Sequence, residues 1–150
     1  MKTKVVLGGT FSVIHKGHIA LLRKAFESGD VIEVGLTSDS YVAKNKLGAI
    51  PGYSARRRNL NAALKKMGGN FYIVKINDKY GSTLREDFNT LVVSEETRST
   101  AVQINKLRLK RGMKAVRIVS IKRVLADDGK PISGTRIRNG EIDIDGKVLA

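Results

Sequence analysis

One short stretch near the start of the chain combines glycine and histidine in a pattern that suits an anion. Residues 7–18 read LGGTFSVIHKGH and hold both histidines of the chain, His15 and His18, with Gly17 between them. Glycine lets backbone N–H groups come close to an anion, and the start of a helix adds further N–H groups and a positive dipole. The stretch therefore predicts a phosphate site that both imidazoles face. The residues leave open whether these rings donate as neutral or as charged groups.

Other interpretations of this stretch are weaker. It has neither the G-x-G-x-x-G spacing of a dinucleotide fold nor the G-K-[ST] ending of a P-loop. Two histidines with no aspartate, glutamate or cysteine beside them also make a poor zinc site, so no bound metal is predicted here. A purely structural role for the histidines is disfavoured because both lie in the glycine turn.

The elements around this turn form the first βαβ unit. Residues 4–7 (KVVL) predict a buried strand, and apolar residues at helical spacing from His18 predict a helix that ends at Ser28-Gly29. Residues 31–37 (VIEVGLT) predict a second strand. A strand, a glycine turn, a helix and a strand within about 35 residues have the size of one right-handed βαβ unit.

The same alternation continues to residue 121. It predicts helices and strands that are, in chain order, a helix at 54–67, strands at 71–76 and 90–94, a helix at 98–111 and a strand at 115–121. The predicted fold is α/β, a Rossmann-like parallel sheet of about five strands with helices on both faces. No linker or repeat divides it, so residues 1–150 are predicted to be one domain.

Composition narrows the class of protein. The 150 residues include 28 Lys and Arg against 14 Asp and Glu, a formal charge of +14 that suits phosphorylated ligands or nucleic acid. Only 5% of the residues are aromatic and none is Trp, which disfavours a nucleic-acid-binding module. There is no cysteine, and no signal peptide or membrane span is recognisable, so a cytoplasmic location and no membrane partner are expected. The oligomeric state is left open.

A second motif near the end of the chain completes a resemblance. The motif GTF followed by HKGH after the first strand, and ISGTRIRNGEID at 132–143, resemble the two signatures of the HxGH nucleotidyltransferase superfamily. Four shorter segments are similar to its archaeal phosphopantetheine adenylyltransferase branch: GLTSD (35–39), YSAR (53–56), DKYG (78–81) and VVSEET (92–97). The resemblance implies transfer of the adenylyl group of ATP to 4'-phosphopantetheine, which gives dephospho-coenzyme A and pyrophosphate.

The resemblance also implies roles for individual residues. His18 is expected to donate to the α-phosphate in the transition state, with His15 beside it, and Lys46 is expected to close over the reacting phosphates. Residues expected to bind the nucleotide are Gly8, Gly9, Thr10, Phe11, Gly17, Ser94, Thr97, Ser133, Thr135 and Arg138. Residues expected to bind the acceptor are Thr10, Lys44, Lys46 and Arg56. Mg²⁺ is expected to arrive with ATP, without a dedicated protein cage.

Three positions depart from the superfamily pattern. Ser12 stands where an acidic residue is usual, Gly134 where serine is usual, and Glu95 where the archaeal branch commonly has proline. The alternative functions are a cytidylyltransferase, or an adenylyltransferase for nicotinamide or flavin mononucleotide. The stretch DDGKPISGT lacks the Arg-Thr pair of the cytidylyl branch, which weakens the use of CTP. A basic nucleic-acid-binding module is a weaker alternative because it leaves both turn motifs unexplained.

Overall fold

Five parallel strands form a single sheet in the computed structural model, which describes residues 2–45 and 47–149. The strands are β1 (Lys4–Gly9), β2 (Val31–Thr37), β3 (Asn70–Ile76), β4 (Thr90–Ser94) and β5 (Arg117–Ile121). Their order in the sheet is β3-β2-β1-β4-β5, and every neighbouring pair is parallel. The chain thus builds outward from β1 in one direction and then in the other. In such sheets the carboxyl ends of the strands beside the reversal form the ligand crevice.

Helices cover both faces of the sheet. The helices are α1 (Lys16–Ser28), α2 (Asp39–Lys44), α3 (Tyr53–Met67), α4 (Arg98–Lys110) and α5 (Gly134–Arg138), with a 3-10 helix at Glu95–Thr97. Buried residues of α1 and α3 pack with one set of strand residues, and buried residues of α4 pack with the other set. The predicted α/β architecture is confirmed.

Strand β1 shows why the sheet must be covered twice. Val5 and Leu7 belong to the core under α1 and α3, whereas Val6 belongs to the core under α4. Successive side chains of a strand point to opposite faces, so an apolar run such as KVVL buries both. A strand of this kind is stable only between two layers of helices.

Most predicted boundaries agree with the structure within two residues, and the differences have local causes. Strand β1 continues through Gly8 and Gly9, and α1 begins at Lys16 rather than at His18 because His15 caps it. Helix α2 was not predicted. It begins where the Ser38 hydroxyl accepts a hydrogen bond from the Tyr41 N–H at 3.1 Å, which satisfies one of the free donors of the first turn.

The C-terminal segment folds back to the start of α1. Residues 122–149 are mostly irregular, with two isolated antiparallel bridges and a small core of Ala126, Ile132 and Ile142. The Lys16 N–H donates to the Ile144 carbonyl at 2.9 Å. This contact brings the second motif to the same end of the sheet as the first. Within the described ranges, the helices are all too short or too polar to cross a membrane.

Candidate active site

The two histidines form a reciprocal cap at the start of α1. The His15 Nδ1 accepts hydrogen bonds from the Gly17 N–H at 3.0 Å and the His18 N–H at 3.3 Å. The His18 Nδ1 accepts one from the His15 N–H at 3.3 Å. The two rings stack with their centroids 3.7 Å apart. The arrangement is a capping box in which imidazoles replace the usual hydroxyl and carboxylate side chains.

Glycine between the histidines is required by this cap. A Cβ atom at position 17 would lie 2.9 Å from Cε1 and 3.0 Å from Nδ1 of His15, closer than such atoms pack. A side chain there would push the His15 ring off the backbone donors it satisfies. Gly17 was predicted to allow close approach of a ligand; in the structure it also makes room for the imidazole of His15.

The cap determines which nitrogen of each ring can act as a donor. Burial lowers the pKa of His15 to about 4. Burial, together with the neighbouring His15, lowers the pKa of His18 to about 3, although the Val13 carbonyl opposes this shift. Both rings are therefore neutral near pH 7, which answers the question left open by the sequence. Because each Nδ1 accepts a backbone N–H, the single ring proton of each histidine is on Nε2.

Phe11 packs against the ring of His18. It is buried, its backbone φ is +48°, and its ring centroid lies 4.8 Å from that of His18. A bulky residue in the left-handed region is strained, and such strain is retained where the surrounding structure determines the conformation. The strained turn and the stacked rings together restrict the motion of the His18 Nε2 donor.

The lowered histidine pKa values predict how stability depends on pH. The unfolded chain takes up protons on these histidines near their ordinary value of 6.5, whereas folded His15 and His18 do so only near about 4 and about 3. The stabilisation from their neutral burial is therefore complete above pH 6.5 and is lost as pH falls towards these lower values. We expect the free energy of unfolding, measured by urea denaturation, to decrease over this range.

A double variant isolates the contribution of the histidines to that decrease. His15→Asn with His18→Asn should be less stable than the wild type at neutral pH but should lose less stability on acidification. Equal losses in the two proteins would contradict the assignment of buried, neutral imidazoles.

The second motif forms the turn before α5. The Ser133 hydroxyl accepts a hydrogen bond from the Arg136 N–H at 3.2 Å and so caps this helix. Arg138 donates from Nη1 to the Ser12 hydroxyl at 2.9 Å and from Nη2 to the Thr135 hydroxyl at 3.3 Å. The Ser12 contact joins side chains that are 126 positions apart in the chain. This hydrogen bond joins the first motif to the second.

Two of the three departures from the superfamily pattern lie against each other here. A Cβ atom at Gly134 would be 2.8 Å from the Ser12 Oγ and 3.0 Å from the Arg138 Nη1. Glycine at 134 therefore leaves room for the bond between Ser12 and Arg138. The third departure, Glu95, lies in the 3-10 helix, where its carboxylate accepts the Arg123 N–H at 3.3 Å.

Both motifs line one cleft of about 1060 Å³ at the carboxyl ends of the strands. Residues of the predicted site that line it are Gly8, Gly9, Thr10, Phe11, His15, Gly17, His18, Ser94, Thr97 and Ser133. The histidines and the turn that opens α5 are thus brought together, as the sequence analysis required. Thr135 and Arg138 do not line this cleft. Arg138 instead lines a second groove behind Ser12, between α1 and α3.

The predicted acceptor-binding residues do not all lie at the cleft. The Thr10 hydroxyl accepts a hydrogen bond from Thr37 at 3.0 Å at the cleft wall. Lys44 is exposed in the last turn of α2 and does not line the cleft. Lys46 lies outside the described residues.

The position of the Arg56 side chain does not agree with the prediction that this residue binds the acceptor. Its side chain is fully buried, and Nη1 donates to the backbone carbonyls of Thr37 at 2.8 Å and Thr10 at 3.1 Å. Nε donates to the Pro51 carbonyl at 2.8 Å, and Nη2 contacts an Asp39 carboxylate oxygen at 3.1 Å. The guanidinium is thus directed at protein acceptors, because it is the group that joins the ends of β1 and β2 to the start of α3.

Sequence reasoning missed basic residues that the fold brings to the cleft. They are Lys79, Lys122, Arg123, Lys130 and Arg136. The pair at 122–123 directly follows β5, so a rule that charged residues at strand carboxyl ends face the crevice would have found it. Arg136 is neutralised in part by Asp128 and Glu141, whereas the others add positive charge suited to a polyphosphate.

A parallel α/β sheet with a glycine turn and two donor imidazoles at its switch point defines the nucleotide-transferring class of this fold. The cytidylyltransferase-like family model matches residues 6–140. Phosphopantetheine adenylyltransferases of Methanosarcina mazei and Archaeoglobus fulgidus are 44% and 41% identical to the chain. Each alignment covers 97% of the chain, and 96% and 99% of those proteins respectively. The chain belongs to the cytidylyltransferase-like family and, within it, to the archaeal phosphopantetheine adenylyltransferases.

A longer relative and two solved structures complete the comparison. The bifunctional phosphopantetheine adenylyltransferase/NTP phosphatase of Thermoplasma volcanium is 46% identical over 96% of the chain, which spans only 44% of that protein. A protein of unknown function from Archaeoglobus fulgidus has a TM-score of 0.73 and 37% identity over 79% of this chain and 89% of its own. Pantoate-beta-alanine ligase of Francisella tularensis, with a TM-score of 0.60 and 16% identity over 92% of this chain and 65% of its own, shares the fold.

Proposed function

We propose that the chain transfers the adenylyl group of ATP to 4'-phosphopantetheine, giving dephospho-coenzyme A and pyrophosphate. The observation that carries the proposal is the cleft shared by the two motifs, which the stacked imidazoles of His15 and His18 line. The archaeal relatives are named for this activity, and they align with the chain over nearly their whole length. The proposed location of this activity is the cytoplasm.

The reaction depends on the positioning of its two substrates and on stabilisation of the charge that develops on the α-phosphate, rather than on a protein nucleophile. An oxygen of the phosphopantetheine phosphate attacks the α-phosphorus of ATP, and the bond from that phosphorus to the bridging oxygen of pyrophosphate breaks. The attacking group is already an anion, so no strong general base is required. The Nε2–H of His18 is the proposed donor to the α-phosphate, because neutral imidazoles fixed by a backbone cap need no rearrangement as charge develops.

The triphosphate is proposed to lie between the histidines and the turn at Ser133. The backbone at the end of β1, where Gly8 and Gly9 lie, and the basic residues around the cleft supply donors for a polyanion. Among the residues that the structure describes, no three histidines or carboxylates gather as a metal cage. Mg²⁺ is proposed to arrive bound to the ATP substrate, as expected of a site without a protein cage.

One assay distinguishes this activity from its alternatives. The purified chain is given ATP or CTP with 4'-phosphopantetheine, nicotinamide mononucleotide, flavin mononucleotide or glycerol phosphate, and pyrophosphate release is followed. We expect release above background only with ATP and 4'-phosphopantetheine, with dephospho-coenzyme A as the second product. Faster release with CTP or with another acceptor would overturn the proposal. Salt-sensitive binding of DNA or RNA without pyrophosphate release would favour the nucleic-acid-binding module.

A further inference from the structure

One wall of the cleft is irregular in structure but is held by charged groups on both of its sides. Lys79, Tyr80, Gly81, Ser82 and Thr83 all line the cleft, and this run (79–83) is here named the wall segment. It lies between β3 and β4, outside the regular helices and strands. Local bonds shape the segment as a turn: the Thr83 N–H donates to the Tyr80 carbonyl at 3.0 Å, and the Asp78 carboxylate accepts the N–H groups of Tyr80 and Gly81. A turn of this kind needs further contacts to hold its position against the sheet.

Glu33 holds the wall segment from the sheet. It is only 3% exposed and pairs in register with Val6, on the face that α4 covers. One carboxylate oxygen accepts the Ser82 hydroxyl at 2.5 Å. The other accepts the Tyr72 hydroxyl at 3.0 Å and lies 3.2 Å from the Lys4 Nζ.

The Lys4 ammonium is a stable partner for this carboxylate. Burial alone would lower the pKa of Lys4, but its contacts with Tyr72 and Glu33 outweigh burial and raise that pKa. A buried carboxylate is costly unless it is paired and hydrogen-bonded, and here its partners include a hydroxyl of the wall segment. The pairing thus fixes Ser82 relative to β2.

Arg108 holds the same segment from the helix. It is 1% exposed, and Nη1 donates to the carbonyls of Thr83 at 2.6 Å and Glu86 at 3.0 Å. Nε donates to the Lys114 carbonyl at 2.8 Å, beyond the end of α4. The bond to Thr83 satisfies a buried backbone acceptor that would otherwise be left unpaired, and the bonds to Glu86 and Lys114 satisfy acceptors of exposed residues. The wall segment is therefore fixed on its second side by a group as deeply buried as Glu33.

Together with the proposed nucleotide site, the order of the strands indicates which substrate this wall faces. The histidines follow β1 at the centre of the sheet, whereas the wall segment follows β3 on one side. Ser94 ends β4 on the other side, and Ser133 follows β5 there. If the nucleotide binds at Ser94 and Ser133, the side of the cleft next to β2 and β3 remains for the acceptor. This step rests on the proposed function.

We propose that Glu33 and Arg108 are positioning residues that hold the wall segment in the shape that binds the phosphopantetheine acceptor. Neither residue contacts the reacting phosphates. A wall that is ordered before binding spares the acceptor the entropy of ordering it, so the benefit should be seen in the KM for the acceptor.

Two variants test the proposal by different chemistry. Glu33→Gln removes the charge and keeps the shape, and Ser82→Ala keeps the charge and removes the hydroxyl that it binds. We expect each to raise the KM for 4'-phosphopantetheine about tenfold, which corresponds to the loss of one hydrogen bond to a charged group. The KM for ATP should stay within about twofold. Glu27→Gln, the same exchange at an exposed residue, should change neither constant.

Hydrogen exchange measures the wall directly and does not depend on turnover. In both variants the amides of residues 79–86 should exchange faster than in the wild type, with those of β1 and β2 unchanged. Slow exchange in Ser82→Ala together with a normal acceptor KM would overturn the proposal. A raised acceptor KM in Glu33→Gln but not in Ser82→Ala would also overturn the proposal. That result would mean that the charge of Glu33, and not its bond to Ser82, determines the KM for 4'-phosphopantetheine. A wild type that releases no pyrophosphate would refute the proposed function, whereas the exchange experiment would still decide whether the wall is tethered.

Discussion

Replacing His18 with alanine is expected to lower kcat by about a hundred- to a thousand-fold, the usual effect of removing one well-placed donor to a transition-state anion. The variant loses the imidazole of His18, which lines the cleft, and keeps Gly8, Gly9, Thr10 and Ser133. The KM for ATP should change much less than kcat, because the lost contact is to charge that develops during the reaction. Steady-state pyrophosphate release at saturating ATP and 4'-phosphopantetheine measures both constants.

The same variant also removes one half of the histidine cap, so its folding must be measured separately. Loss of the acceptor for the His15 N–H should cost about 1 kcal/mol of stability, which leaves the protein folded. Lys24→Ala, on the exposed side of the same helix, is the matched control and should keep wild-type kcat. If folded His18→Ala turned over at nearly the wild-type rate, His18 would not be the donor.

Replacing Arg56 with methionine is expected to destabilise the protein by about 3 kcal/mol, because unsatisfied buried acceptors cost roughly 1–3 kcal/mol each and partly overlap in effect. Methionine fills much of the same volume but donates nothing, so the carbonyls of Thr10, Thr37 and Pro51 lose their partner. Urea denaturation of the wild type and the variant at the same pH measures the difference.

The neighbouring arginine provides the control for Arg56. Arg57 is exposed on the same helix, and Arg57→Met should change the free energy of unfolding by less than about 0.5 kcal/mol. Arg56→Lys should be intermediate at best, because an ammonium cannot reach three separated carbonyls in the geometry of a planar fork. Wild-type stability of Arg56→Met, with acceptor binding lost, would restore the role in substrate binding that the sequence suggested.

The buried arginines show what helix periodicity can reveal and what it cannot. Arg56 lies on the face of α3 that buries Leu60 and Leu64, and Arg108 on the face of α4 that buries Ala101 and Ile104. An arginine in register with an apolar stripe is therefore a signal of burial that the sequence did contain. Each guanidinium has one acceptor nearby in the chain, Pro51 or Lys114, but its other backbone acceptors are at least 19 positions away, and no local pattern identifies those.

Glu33 shows the opposite case, in which the local pattern misleads. Ile32, Val34 and Leu36 alternate with Glu33 and Gly35, which favours a strand with one face in water. The Glu33 face is instead covered by α4 and by the wall segment, so the carboxylate is buried against Ser82 and Lys4. Both covering elements lie far from β2 in the chain, and the residues of the strand carry no sign of them.

The sequence by itself determined the parts of this protein that depend on near neighbours. The alternation of strands and helices is set by hydrophobic spacing and by turn chemistry within a few residues, whereas the continuation of β1 through Gly9 and the cap at His15 were not predicted. The two motifs could likewise be recognised from their own letters, and the family that they indicated is confirmed.

Only the tertiary structure decided how these parts meet. It placed His18 and Ser133 on one cleft, directed Arg56 and Arg108 to backbone carbonyls, and lowered the pKa of His15 and His18 by burial. The physical reason is that burial and charge pairing arise between residues far apart in the chain. Their energies depend on the whole packed surroundings of a side chain and not on its neighbours in sequence.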